Sequence, residues 1–180
     1  MKKENINIFK KGGVGIVKTD TLYGVLGSAL NKKTVERIYR IKDRNKNKPF
    51  IILISSIKDL EKFGVRVDGK TKNILEKYWP GKTSIVLSCP NKKFEYLHCG
   101  KKSLAFRLPA KKSLSEAIKK TGPLVAPSAN PEGEKPVSSI KEAKKYFGDT
   151  VDFYEAGRGG SKKPSRIIKI ENKKNKVLRN

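Results

Sequence analysis

Apolar residues in this chain come in short runs, such as Phe50-Ile-Ile-Leu-Ile54, and these runs alternate with segments whose apolar positions recur at helical spacing. That alternation restricts the chain to a mixed sheet covered by helices. The first strand is expected over residues 14–18, launched by Gly12-Gly13 and ending in the polar segment Lys18-Thr-Asp-Thr21. A second apolar run, 22–30, carries Gly24, Gly27, Ser28 and Ala29, small residues that permit close approach by a ligand or by a packed neighbour. Residues 32–42 place Val35, Ile38, Tyr39 and Ile41 at helical spacing, and a basic loop, Lys42-Asp-Arg-Asn-Lys-Asn-Lys48, closed by Pro49, leads into a strand at 50–54. Further helices are expected at 57–63, 72–78, 114–121 and 140–147, and further strands at 83–88, 104–107, 124–126, 151–154 and 166–170.

A chain of 180 residues is long enough for one domain with a proper core, and neither an internal repeat nor a biased linker marks a boundary. The expectation is a single α/β domain over 1–180, a twisted open mixed sheet with flanking helices. The charge balance is extreme: 42 Lys and Arg face 17 acidic residues, for a net charge of +25. An anionic partner is expected. Of the basic residues 34 are Lys and eight are Arg, and many Lys lie in scattered pairs such as Lys2-Lys3 and Lys119-Lys120. That dispersion fits a lysine-rich composition as well as it fits a binding surface, which would cluster and favour Arg. Cys89 and Cys99, beside the single histidine, His98, have neither a metal-site spacing nor a disulfide framework. No apolar stretch approaches the roughly 20 residues of a bilayer span, and polar Glu4-Asn5 follows the Met-Lys-Lys start. A soluble, cytoplasmic protein with no membrane partner is expected.

Gly81-Lys82-Thr83 looks like the end of a phosphate loop, but Glu76 stands where that loop needs glycine, and the segment leads into a strand rather than a helix. A structural turn is expected there, with Trp79 packing in the core. Neither a G-x-G-x-x-G fingerprint nor a G-x-S-x-G elbow is present. What remains is a set of polar segments at strand ends, where ligands of open sheets bind: Lys18-Thr-Asp-Thr21, Lys42-Asp-Arg44 with Lys46 and Lys48, 103–107, Pro127-Ser-Ala-Asn130 and Pro164-Ser-Arg166. They supply cations, hydroxyls and an amide but few carboxylates, a chemistry suited to an anionic ligand. Taken singly, each serves equally well as a helix cap or turn.

Seven segments in order resemble the threonylcarbamoyl-adenylate synthase (YrdC-like) family: Thr19-Asp-Thr-Leu-Tyr-Gly24, Lys42-Asp-Arg44 with Pro49-Phe50, Trp79-Pro-Gly81, Ala105-Phe-Arg-Leu-Pro109, Ala126-Pro-Ser-Ala-Asn130, Pro164-Ser-Arg-Ile167 and Val177-Leu-Arg179. The resemblance is to the short, single-domain form. It implies a basic concave cavity and a nucleotidyltransferase that makes L-threonylcarbamoyl-AMP and pyrophosphate from L-threonine, bicarbonate and ATP, with Mg2+ accompanying the ATP. The product would pass to downstream tRNA threonylcarbamoyl-transfer proteins, and contact with tRNA itself is possible. By matching positions, Lys42 and Arg44 would form the catalytic pair along the phosphates, with Lys48 near them; Ser128, Asn130, Ser103 and Arg179 would complete the ATP site. Thr21, Arg107 and Ser165 would bind threonine, Arg107 through its carboxylate. No residue stands out as a general base, because the carbamate is already an anionic nucleophile.

Three positions depart from the family pattern: Lys18 replaces Pro, Asp20 replaces Glu, and Leu53 replaces a His that touches threonine in many relatives. A solvent-facing Lys18 is expected. The rival reading is a non-catalytic basic RNA-binding protein of the same fold, which the net charge favours and the absence of interleaved aromatic residues disfavours. A carbamoyl-transfer module of a larger maturation enzyme is disfavoured by the absence of zinc-finger cysteines.

Overall fold

The structure, a computed structural model, describes residues 1–161, 163–171 and 174–180. Its strands are β1 (Val14–Lys18), β2 (Tyr23–Ser28), β3 (Ile51–Leu53), β4 (Thr83–Ser88), β5 (Ser103–Arg107), β6 (Leu124–Val125), β7 (Phe153–Glu155), β8 (Arg166–Glu171) and β9 (Lys174–Arg179). They form one sheet in the order β7-β1-β2-β6-β3-β5-β4-β8-β9. Parallel pairing joins β1 to β7, β3 to β5 and β4 to β8, and the other neighbours are antiparallel. The sheet is therefore mixed, as the alternation of the sequence implies.

The α-helices are α1 (Lys3–Lys10), α2 (Lys32–Ile41), α3 (Gly69–Tyr78), α4 (Glu95–His98), α5 (Lys112–Thr121) and α6 (Ile140–Phe147). Side chains that alternate along the strands divide the core between two faces. On one face, Ile16, Val25, Ile52, Ile85 and Phe106 meet Val35 and Ile38 of α2 and Leu75 of α3. On the other, Val17, Leu26, Leu53 and Leu124 meet Phe9 of α1 and Leu114 and Ile118 of α5. Each fully buried Leu, Ile or Phe contributes about 1.5–3 kcal/mol through removal of its surface from water. On this second face α1 and α5 cover the strands nearer β1, and the ligand-sized hollow lies on the part they leave open.

Small residues make close packing possible where the sequence left packing or ligand approach undecided. A Cβ on Gly27 would lie 2.5 Å from Thr34 Cγ2 of α2, and one on Gly15 would lie 2.3 Å from the Phe153 ring. Both glycines serve packed neighbours. Segment 57–63, expected as a helix, is a 3-10 helix (Ile57–Phe63) whose buried Leu60 and Phe63 stand three residues apart, the period of that tighter coil. The helix α1 and the strand β9 were not anticipated, because their apolar residues are too few to set a period. α1 is nevertheless anchored, with Phe9 only 1% exposed and Asn5 Nδ2 donating to Glu155 at 2.7 Å. Gly81 lies in a turn and donates its N–H to the Leu108 carbonyl at 2.8 Å, while Trp79 is buried.

Candidate active site

A cavity of about 640 Å³, within the range of small-molecule sites, opens on the second face of the sheet. Its floor is built by Ile51 of β3, Arg107 of β5, Ile167 of β8 and Arg179 of β9, and its walls by the β1–β2 turn and the loops following α2 and β6. Arg44, Arg107, Lys135 and Arg179 line it, and among the described residues no carboxylate does. The surroundings are those of an anion site.

One end rests on the turn Thr19-Asp20-Thr21. Thr19 closes this turn: its N–H and hydroxyl both donate to the Leu22 carbonyl, at 3.1 and 2.7 Å, and Thr21 N–H donates to its Oγ1 at 3.1 Å. Thr21 Oγ1 then accepts a bond from Arg107 Nη1 at 3.2 Å. The same Nη1 lies 3.0 Å from Asp20 Oδ1, with side-chain exposures of 4% and 8%. Asp20 Oδ2 is held by Ala110 N–H at 3.3 Å. Burial lowers the Arg107 pKa from its ordinary value, Asp20 opposes that shift, and Arg179 adds to it. Among the described residues Arg107 Nε has no hydrogen-bond partner. A guanidinium and a second cation at one end of a cavity are groups on which a carboxylate can bind.

Arg179 reaches the cavity from the last strand. Its Nε and Nη2 donate to the Ser165 carbonyl at 2.9 and 2.7 Å, and Nη2 also bonds Ser165 Oγ at 3.2 Å. Ser165 Oγ is itself 2.9 Å from Ser84 Oγ on β4. This network joins the Pro164-Ser-Arg166 segment to the sheet.

The opposite wall is formed by two loops joined to each other. Beyond β6, Pro127 O accepts from Val25 N–H at 2.9 Å, and Ala129 N–H donates to Tyr23 O at 2.8 Å, so that Ser128 lies against Gly24. A Cβ on Gly24 would stand 2.7 Å from Leu26 Cδ1 and 3.2 Å from Pro127 O, so a side chain there crowds both the strand's own neighbour and the docked loop. Ser128 Oγ donates to Asn130 Oδ1 at 2.6 Å, and Asn130 Nδ2 donates to the carbonyls of Pro131 and Glu134 at 2.7 and 2.9 Å. From the loop after α2, Arg44 lies over the Phe50 ring, 5.4 Å from its centroid, and donates to Lys48 O at 3.2 Å. Phe50 stacks in turn on Tyr39, centroid to centroid 4.1 Å.

The structure thus brings Thr21, Arg44, Arg107, Ser128, Ser165 and Arg179 to one cavity. Lys42 does not line it: only 1% exposed, it donates through Nζ to the carbonyls of Ser128, at 2.6 Å, and Asn130. Asn130 is spent on its own loop, and Lys48 forms an ion pair with Glu132. Ser103 is not brought there. It begins β5, paired with Ser88, whereas Arg107 ends the strand; four residues of extended chain separate them by about 13 Å. Lys18 is half-buried rather than solvent-facing, with Nζ 4.9 Å from the Tyr23 centroid and 3.3 Å from Thr21 O. Leu53 is fully buried among the apolar residues beneath α1 and α5. Sequence reasoning missed Asp20 as the counter-ion of Arg107 and missed Lys135. An acid within an otherwise cationic set of segments was the signal for the first; nothing in the spacing pointed to the second.

Residues 7–180 match the Sua5/YciO/YrdC family, described as telomere recombination. The chain belongs to this family. Among its Sua5/YciO/YrdC relatives, a putative threonylcarbamoyl-AMP synthase of Methanocaldococcus jannaschii is 34% identical over 175 residues, 97% of this chain and 80% of the relative. The threonylcarbamoyl-AMP synthase of Marinobacter nauticus is 32% identical over 165 residues, covering 88% of this chain and 85% of the relative. P. abyssi Sua5 in complex with L-threonine superposes with a TM-score of 0.87 at 25% identity, covering 98% of this chain. The chain spans about half the length of that protein, 52%. E. coli YciO shares the fold, with a TM-score of 0.85 at 23% identity over 98% of this chain and 87% of YciO.

Proposed function

We propose that this protein is an L-threonylcarbamoyladenylate synthase, a nucleotidyltransferase that converts L-threonine, bicarbonate and ATP into L-threonylcarbamoyl-AMP and pyrophosphate. The observation that carries the reading is a cavity lined by Arg44, Arg107, Lys135 and Arg179 and, among the described residues, by no carboxylate. The names of its relatives point to the same reaction.

In this reading the threonine amine captures carbon dioxide as a carbamate, and Arg107, with Thr21 beside it, receives the amino acid's carboxylate. A carbamate oxygen forms a bond to the α-phosphorus of ATP as the bond from that phosphorus to the β-phosphate oxygen breaks, and pyrophosphate leaves. The obstacle is the approach of a dianion to a polyphosphate. Arg44 and Arg179 offset that repulsion as cations already held in place before the charge develops. Positioning of the two reactants in one cavity supplies much of the remaining rate. Magnesium enters with the triphosphate; among the described residues no group of three or more His, Cys, Asp or Glu gathers to hold a metal. No protein ligand is therefore assigned to it.

The product serves N6-threonylcarbamoyladenosine formation in tRNA through downstream transfer proteins, with the synthase working in the cytoplasm. No helix among the described residues is long and apolar enough to cross a membrane. Release of pyrophosphate from ATP that requires both L-threonine and bicarbonate is the decisive assay. Folded protein that releases none, yet binds RNA with a steep salt dependence, would establish the non-catalytic RNA-binding alternative instead.

A further inference from the structure

Lys42 is a buried charged side chain, 1% exposed, and it stands at the junction of the two loops that wall the cavity. Its Nζ donates to the carbonyls of Ser128, at 2.6 Å, and Asn130, and its own carbonyl accepts from Glu132 N–H at 2.9 Å. Glu132 returns the connection, accepting from Asn45 N–H at 2.7 Å and pairing with Lys48. The loop after β6 is thus joined to the loop after α2 on both sides of Lys42. Asn130 stiffens the loop after β6 from within by its bonds to Pro131 and Glu134. The Ser128 carbonyl also accepts from Asn130 N–H at 3.0 Å, so Lys42 joins a turn already closed on itself to the loop after α2, and burying its own Nζ without these carbonyls would be costly.

We propose that Lys42 is a positioning residue for the nucleotide rather than a phosphate ligand: its ammonium clamps the 128–130 segment so that Ser128 faces the cavity beside Arg44. This rests on the reading of the cavity as an ATP site, but the clamp itself exists without any nucleotide. Ser128 lines the cavity and Lys42 does not. The bonds of Pro127 and Ala129 to β2 fix the segment on the strand side, and Lys42 is the side chain that holds it from the side of the loop after α2.

The test compares wild-type protein and Lys42→Met by hydrogen–deuterium exchange in the absence of nucleotide, with steady-state kinetics alongside. Loss of the clamp should raise exchange by roughly tenfold or more at the amides of Ala129, Glu132 and Val137, while amides of the β4–β5 pair keep their protection. The ATP KM should rise by about tenfold, with the L-threonine KM within about twofold of wild type, because Thr21 and Arg107 lie elsewhere. Normal exchange at those amides together with a lost ATP affinity would overturn the clamp and make Lys42 a direct ligand. Wild-type protein supplies a second measurement that does not depend on the variant folding. A small amine acetylating reagent should leave Lys42 unmodified, with and without ATP, while exposed lysines such as Lys3 and Lys112 react. Reaction of Lys42 at the rate of Lys3 in the free protein would equally overturn the proposal. Pyrophosphate release by wild-type protein decides the synthase reading separately.

Discussion

Arg107 and Asp20 form a charge pair that water hardly reaches, and the consequences of altering it differ for binding and for folding. Replacing Arg107 by Ala removes the carboxylate receptor and should weaken L-threonine binding by roughly 10- to 100-fold, the range of a charge-assisted hydrogen bond. It also leaves Asp20 buried without its counter-ion, which should cost about 3–5 kcal/mol of stability. Removing both charges with Asp20→Asn and Arg107→Met should recover most of the stability and none of the binding, read by urea unfolding and by calorimetric titration with L-threonine. Lys42 makes a prediction in pH. Burial and the nearby Arg44 push its pKa down to about 7, against the pull of Glu132. In the unfolded chain it returns to about 10.4, so between about pH 7 and 10 the unfolded state binds the additional proton. Stability should therefore rise with pH through that window and fall away as pH drops toward 7. The difference in urea midpoint between wild type and Lys42→Met should carry that slope; parallel pH profiles would contradict it. Some of this was legible in the sequence. Thr21, Arg107 and Ser165 could be named from their segments, whereas the inward turn of Lys42 could not, because the direction of a side chain depends on carbonyls 86 and 88 residues away.

Strands and their loops explain why the polar segments meet. The Pro127-Ser-Ala-Asn130 segment continues the pairing of β2 beyond β6, through Val25 N–H to Pro127 O and Ala129 N–H to Tyr23 O. Gly24 lets the two backbones approach. A methyl at Gly24→Ala would push the Leu26 side chain aside and press against Pro127 O; where the loop yields, Ser128 shifts with it, so the ATP KM should rise severalfold while the L-threonine KM stays close to wild type, and overpacking should cost about 1–3 kcal/mol. An unchanged ATP KM in a folded Gly24→Ala protein would show that the loop adapts. Strands β1 and β4 and helix α6 carry the boundaries that their sequence patterns suggest, because each has a clear period and a clear end, such as Ser139 capping α6 by accepting from Glu142 N–H at 3.2 Å. The short β6, two residues long, and the 3-10 helix at Ile57–Phe63 depart from expectation because packing, not local propensity, sets where they stop.

For the whole molecule, the net charge of +25 is a long-range field superposed on a small number of placed cations. Salt should weaken the approach of ATP more than that of L-threonine: between about 0.05 and 0.5 M salt the Debye length falls severalfold, and the ATP KM should rise severalfold with it. L-Threonine, a zwitterion, should show little change in KM over the same range. A flat ATP response would mean that only the shielded cations in the cavity matter.

The amino-acid sequence by itself determined the kind of fold, through its alternating periods, and the segments of the site, through their residue types and order. It could not determine which faces those segments turn to one another. Strand order joins β5 to β4 and β4 to β8, while Arg179 arrives from β9 and Ser128 from a loop docked on β2. Only that long-range pairing divides a uniform set of cations into Arg44, Arg107 and Arg179 in the cavity, Lys48 bound to Glu132, and Lys42 beneath the wall. The physical reason is that apolar burial and strand alternation act on neighbours along the chain, whereas a charge takes its role from the dielectric and the partners that the finished fold puts around it.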